Sequence, residues 1–152
     1  MTTRTTIFNR FLLLALLSGT PAASETLRIA TWNVGLDRRG PGLLVQDLAK
    51  AEDPQIAAII RVMTKLDADV ILLTSVDYDR GGVALRLLAE RLAAAGVDYP
   101  YRFIFRPNTG AQTGFDVDGN GRSGDPRDAQ GFGLFSGQGG MAVLSQLPVD
   151  EG

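Results

Sequence analysis

Asn33 and the acidic run from Asp116 to Asp128 are the residues of this chain whose types and spacing could do chemistry. Asp116-Val117-Asp118-Gly119-Asn120-Gly121 fits the pattern D-x-[DN]-x-[DN]-G, the first half of a calcium loop of the EF-hand type. In that pattern Asp116, Asp118 and Asn120 supply side-chain oxygens, Gly121 makes the sharp turn and Arg122 offers a backbone carbonyl. The second half departs from it, because Arg127 stands where a bidentate Glu belongs. Asp125 or Asp128 would then complete the shell from a loop of another shape, and no amphipathic helices flank the run. Carboxylates this close repel one another without a cation, so a structural Ca²⁺ site with Kd on the order of 10⁻⁴–10⁻³ M is expected. The same residues also suit a solvated turn, in which Asp and Asn bond their own backbone and Gly supplies positive φ.

Asn33 lies in Leu27–Gly35 (LRIATWNVG), a stretch of β-branched and apolar residues that reads as a buried strand closed by a glycine. An amide buried there must find partners or lose about 1–3 kcal/mol. It either satisfies neighbouring loop backbone or faces a ligand, since ligands bind at strand carboxyl ends in open α/β sheets.

The elements that must position these groups follow in order. Leu36 to Gly42 reads as a Gly/Pro-rich loop. Asp53-Pro54 starts a helix over 54–66, with Ile56, Ile59, Ile60, Met63 and Leu66 at helical spacing. Asp67-Ala68-Asp69 is a turn, and Val70 to Val76 a second strand whose near-continuous apolar run predicts burial on both faces. Strand, helix and strand at this spacing can return a parallel strand beside the first. Val83, Leu87 or Leu88, and Leu92 mark a further helix capped near Gly96. Tyr101 to Pro107 alternates apolar with basic residues as a half-exposed strand does, and Asn108 to Gly131 is a long loop. Phe132 to Phe135 is a short strand or an extended link. Met141 to Ser145 is a last buried strand, with no evident partner beyond it. The domain is therefore expected to be partial, with an unpaired sheet edge and an apolar face that favour association.

Residues 1–24 have the layout of a signal peptide: Arg4 and Arg10, the apolar run Phe11–Leu17, then small residues to Ser24. The run is too short to span a bilayer, so no stable membrane insertion is expected. The division is 1–24 signal peptide and 25–152 a single partial domain, exported to the periplasm or beyond. With no Cys, neither a disulfide nor a lipid-modified cysteine is possible, and with no His the commonest general base is missing. Removing residues 1–24 moves the net charge from −2 to −4, which argues against a sequence-independent grip on nucleic acid.

Taken in order, Leu27–Val34 (LRIATWNV), a helix, Asp69–Asp79 (DVILLTSVDYD) and Gly137–Pro148 (GQGGMAVLSQLP) resemble the endonuclease/exonuclease/phosphatase superfamily, and its secreted bacterial members most. The resemblance implies a mixed α/β (α+β) fold, a four-layer two-sheet sandwich flanked by helices and present here in part. It implies hydrolysis of phosphate esters, nucleic acid or small molecule, with Mg²⁺ or Mn²⁺ neutralising the phosphate. Asn33 carries over as the amide that orients substrate or metal. The family's metal-binding Glu at the end of the second strand aligns with Ser75, whose hydroxyl lacks the charge that a hard cation prefers. Asp77, two residues on, is the acid that strand alternation would put on the same face. The family's Asp-x-Asn and Asp-His pairs belong to a C-terminal half, so that half is the implied partner and the chain alone is expected to be inactive. The alternative is a non-catalytic extracellular calcium-binding module on the same scaffold.

Overall fold

The computed structural model describes residues 26–50 and 52–150; the expected signal peptide lies outside the described residues. Local signals build most of the elements. Helix α2 (Pro54–Leu66) starts where Asp53, in extended conformation, accepts the Ile56 N–H at 2.9 Å, with Pro54 at the first helical position. Ile56, Ile59 and Met63 form its buried stripe, and Asp67 ends it with φ 44°. Helix α3 (Val83–Ala94) has no cap from the adjoining Gly82. Asp79 serves instead, its two oxygens accepting from the N–H groups of Val83 at 2.7 Å and Ala84 at 2.9 Å. It closes in a Schellman motif at Gly96 (φ 100°), with Val97 N–H donating to Leu92 O and Gly96 N–H to Ala93 O.

Helix α1 (Leu43–Ala49) directly follows the expected loop of Leu36 to Gly42, in a stretch for which the sequence predicted no element. Its start, Gly40-Pro41-Gly42, carries no capping side chain, so the usual signal is missing. Leu44 and Leu48, four residues apart and both buried, are the trace it leaves in the sequence.

Four strands, β1 (Ile29–Leu36), β2 (Val70–Val76), β3 (Tyr101–Phe105) and β4 (Gly140–Ser145), form one sheet in the order β1-β2-β4-β3. β1 and β2 are parallel, as the strand–helix–strand spacing predicted, and β4 runs antiparallel to both β2 and β3. β4 is thus an inner strand rather than the expected unpaired edge: the long loop lets β3 close on its outer side. Residues 132–135 form no strand.

All three helices share a single core with one face of the sheet, where Ile71, Leu73, Ala142 and Leu144 are buried. The opposite face carries rows of residues in register, Asn33–Thr74–Met141–Phe105 and Thr31–Leu72–Val143–Phe103. No described layer covers it, since Ile29 is 70% exposed, Met141 59% and Phe105 75%. The expected burial of β1 and of both faces of β2 is therefore corrected: β1 is an edge strand, and β2 is fully buried only on the helical side. The described residues make two layers, one of helices and one of sheet. Among them no helix is long and apolar enough to cross a membrane.

Candidate active site at the strand ends

The carboxyl ends of β1, β2 and β3 and the start of β4 lie along one edge of the sheet, as the register requires. An open cleft of about 480 Å³ there is lined by Asn33, Thr74, Ser75, Arg106, Thr109 and Met141, among others. Asn33 is exposed rather than buried. On an edge strand with one face uncovered its amide meets the cleft, so the desolvation argument for a core amide does not apply.

Ser75 has φ 58°, in the left-handed region that L side chains rarely adopt. The cause is a bulge. Thr74 and Val76 oppose Met141 and Gly140, which are adjacent, so Ser75 is an extra residue in β2. On the other side, Asn33 and Leu36 pair with Thr74 and Val76, which brings two β1 residues against one. Because a non-glycine residue in this region is strained by about 1 kcal/mol, Ser75→Gly is expected to raise stability by about that amount in urea denaturation. A loss of stability would mean that the serine side chain makes a compensating bond.

The bulge also breaks the alternation that would place Asp77 beside Ser75. Asp77 is buried and does not line the cleft. One of its oxygens accepts the Arg38 N–H at 2.8 Å and the other the Gly139 N–H at 3.0 Å, while its own N–H donates to Leu36 O. It clamps the segments after β1 and before β4 to the end of β2. Burial pushes its carboxyl pKa up, against the two N–H donors that pull it down. Arg38, which no motif singled out, extends the clamp, its guanidinium donating to Asp47 at 2.7 Å and to Gln55 at 3.1 Å.

The acidic loop lies elsewhere, between β3 and β4, tied by isolated bridges from Thr109 to Gly131 and from Gln112 to Ala129. Carboxylate oxygens of Asp116, Asp118 and Asp128 come within 4.8 Å of one another. Asp116 accepts the N–H groups of Gly119, Asn120 and Gly121, and the buried Asp128 those of Val117, Gly124 and Asp125. Asp125 is not in the cluster; it accepts from the Asn120 amide at 2.7 Å, which with the Arg127 N–H lowers its pKa. The Asn120 side-chain Oδ1 accepts the Arg122 N–H. Arg127, in the place of the bidentate Glu, holds a guanidinium nitrogen 3.6 Å from Asp118.

Against known proteins, the model of the endonuclease/exonuclease/phosphatase family matches residues 30–152. The chain belongs to the endonuclease/exonuclease/phosphatase family. No curated protein matches it. A solved structure, endonuclease/exonuclease/phosphatase from Beutenbergia cavernae DSM 12333, is 22% identical with a TM-score of 0.46, over 83% of this chain. The chain covers 27% of the length of that neighbour.

Members of the endonuclease/exonuclease/phosphatase family are generally metal-dependent. The strand-edge cleft does not fit a hard divalent cation with the described residues. An amide and hydroxyls line it, a guanidinium stands beside them, and no carboxylate does. The acidic triad of the loop has the donor chemistry such an ion takes. Arg106, at the exit of β3, is a cleft residue that sequence reasoning missed, as it did Thr74 and Thr109; a cation directly after a strand and before Pro107 was its only signal.

Proposed function

We propose that this chain is part of an exported phosphoester hydrolase in which Asn33 orients the phosphate at the strand-edge cleft. The observation that carries the reading is Asn33 itself, exposed at the carboxyl end of β1 and facing a cleft with Thr74, Ser75 and Arg106. An amide N–H donor, hydroxyls and a guanidinium are groups that bind a phosphate oxygen by charge-assisted hydrogen bonds. Ser75 adds a hydroxyl where the resemblance has a metal-binding Glu, so the phosphate is held here by hydrogen-bond donors.

Inorganic phosphate is expected to perturb the backbone resonances of Asn33, Thr74 and Ser75, and Asn33→Ala to weaken its binding about tenfold. Phosphate that perturbs none of these three residues would refute the reading. Ser75→Glu, in a protein carrying the rest of the domain, is expected to increase Mg²⁺-dependent hydrolysis of a phosphodiester.

A second reading, a calcium-binding extracellular module, is favoured by the triad Asp116, Asp118 and Asp128. Here Ca²⁺ replaces the Arg127 guanidinium beside Asp118 and orders the loop. Calorimetry is expected to give a Kd on the order of 10⁻⁴–10⁻³ M, with protease protection of the loop. No heat and no protection would count against it.

A further inference from the structure

Of the chain's four asparagines, Asn9, Asn33, Asn108 and Asn120, only the last is followed by a glycine. An Asn-Gly step can close on itself, because no side chain hinders the approach of the glycine nitrogen to the asparagine Cγ. Asn120 and Gly121 are both exposed in the acidic loop, and nothing lies within 4 Å of the position a Cβ on Gly121 would take. Water reaches the step, and no packing opposes a ring there. Hydrogen bonds at each reacting atom are what hold it open. The Gly121 N–H donates to Asp116 Oδ2 at 2.8 Å, which ties the nucleophilic nitrogen to a carboxylate. Asn120 Nδ2, the leaving nitrogen, donates to Asp125 Oδ2 at 2.7 Å, and Asn120 Oδ1 accepts the Arg122 N–H at 2.8 Å.

We propose that Asn120 is a self-modification site, locked by Asp116 and Asp125, that deamidates irreversibly once the loop opens. In the step, the Gly121 nitrogen loses its proton to solvent and bonds to Asn120 Cγ. The Cγ–Nδ2 bond breaks, the departing nitrogen takes a proton from solvent, and ammonia leaves behind a five-membered succinimide. Water then opens the ring at either carbonyl, giving aspartate or isoaspartate at position 120. One water is consumed and one ammonia released, with no change of oxidation state. The product carries a carboxylate where the Asn120 amide had donated to Asp125. An attractive bond becomes a repulsion between like charges, so the opened loop does not regain its closed form. The conversion makes the loop a one-way latch, independent of the phosphate reading of the strand-edge cleft.

The test incubates the whole chain in EDTA at neutral pH and follows residue 120 by peptide mass mapping and ammonia release. Conversion at Asn120 is expected to be about tenfold slower in the folded chain than in guanidinium chloride, the equivalent of one hydrogen bond to a charged group. Asp116→Ala and Asp125→Ala are each expected to speed it about tenfold in the folded chain. Because Asp116→Ala also releases the Gly119 and Asn120 N–H groups, Asp125→Ala carries the decision. Asp98→Asn, at an exposed acid between α3 and β3, changes nothing. Absence of conversion at Asn120 in guanidinium chloride overturns the site. Equal rates in the folded and unfolded chain, or a rate that Asp125→Ala does not raise, overturn the lock. The product is tested with Asn120→Asp, which limited proteolysis is expected to cut several-fold faster than wild type within residues 115–128. Equal cleavage of the two overturns the latch.

Discussion

Gly110→Ala is expected to undock the long loop between β3 and β4 and to lower stability by roughly 3 kcal/mol or more. A Cβ built on Gly110 would lie 1.9 Å from the Phe135 carbonyl oxygen and 2.8 Å from the Ser136 nitrogen, both backbone atoms. Neither can give way as the tip of a side chain could. The residue is also held at φ 69°, where alanine is disfavoured by about 1–2 kcal/mol before any clash. Its N–H donates to Gly131 O at 2.8 Å, and next to it Thr109 O accepts from Gly137 N–H. Moving the backbone to admit a methyl group therefore breaks the bonds that close the loop on itself. Gly119 supplies the control: it too has positive φ, 73°, but nothing lies within 4 Å of its Cβ position. Gly119→Ala should show the conformational cost alone, about 1 kcal/mol. Limited proteolysis and thermal melting separate the outcomes. Rapid cleavage within residues 108–139 with helical circular dichroism retained is the expected result for Gly110→Ala. Equal cleavage and melting for the two variants would refute the close-packing argument.

The sequence told most where structure is decided locally. The Asp53-Pro54 start of α2, the parallel pairing of β1 with β2 and the Gly96 end of α3 all follow from residues a turn or one crossover apart. Strand order was not legible, because the place of β4 between β2 and β3 depends on a pairing made across a loop of more than thirty residues. The candidate site shows the same limit. Asn33 and Ser75 were found by type and position, but the bulge that turns Ser75 exists only through its pairing with two neighbouring strands. Asp128 rather than Asp125 joins Asp116 and Asp118, because burial at the base of the loop selects the acid that can accept three N–H groups.

Asp77 is the residue on which that edge of the sheet depends, and its removal carries the second large effect. Asp77→Ala would leave the N–H groups of Arg38 and Gly139 without their acceptors. Both donors are part-buried, so with about 1 kcal/mol for each, the low end of the cost of an unsatisfied donor, a loss of roughly 2 kcal/mol is expected. Asp77→Asn keeps the shape but sets its amide N–H₂ against one of the two donors, so a smaller loss is expected. The pH dependence distinguishes the charge from the shape. Burial raises the folded-state pKa above the ordinary value of 3.8, with Asp37 nearby adding to it, while the two N–H donors and Arg38 oppose the shift. A group whose pKa is raised on folding contributes stability that is fully present below the unfolded value and lost as pH rises through the folded value. Asparagine does not titrate. The stability of the wild type relative to Asp77→Asn is therefore expected to be greatest near pH 3 and to shrink as pH rises above about 4. Urea denaturation of both proteins across that range checks the sign. If the margin instead grew with pH, the N–H groups of Arg38 and Gly139 would outweigh burial, and Asp77 would be a carboxylate stabilised by its clamp rather than strained by it.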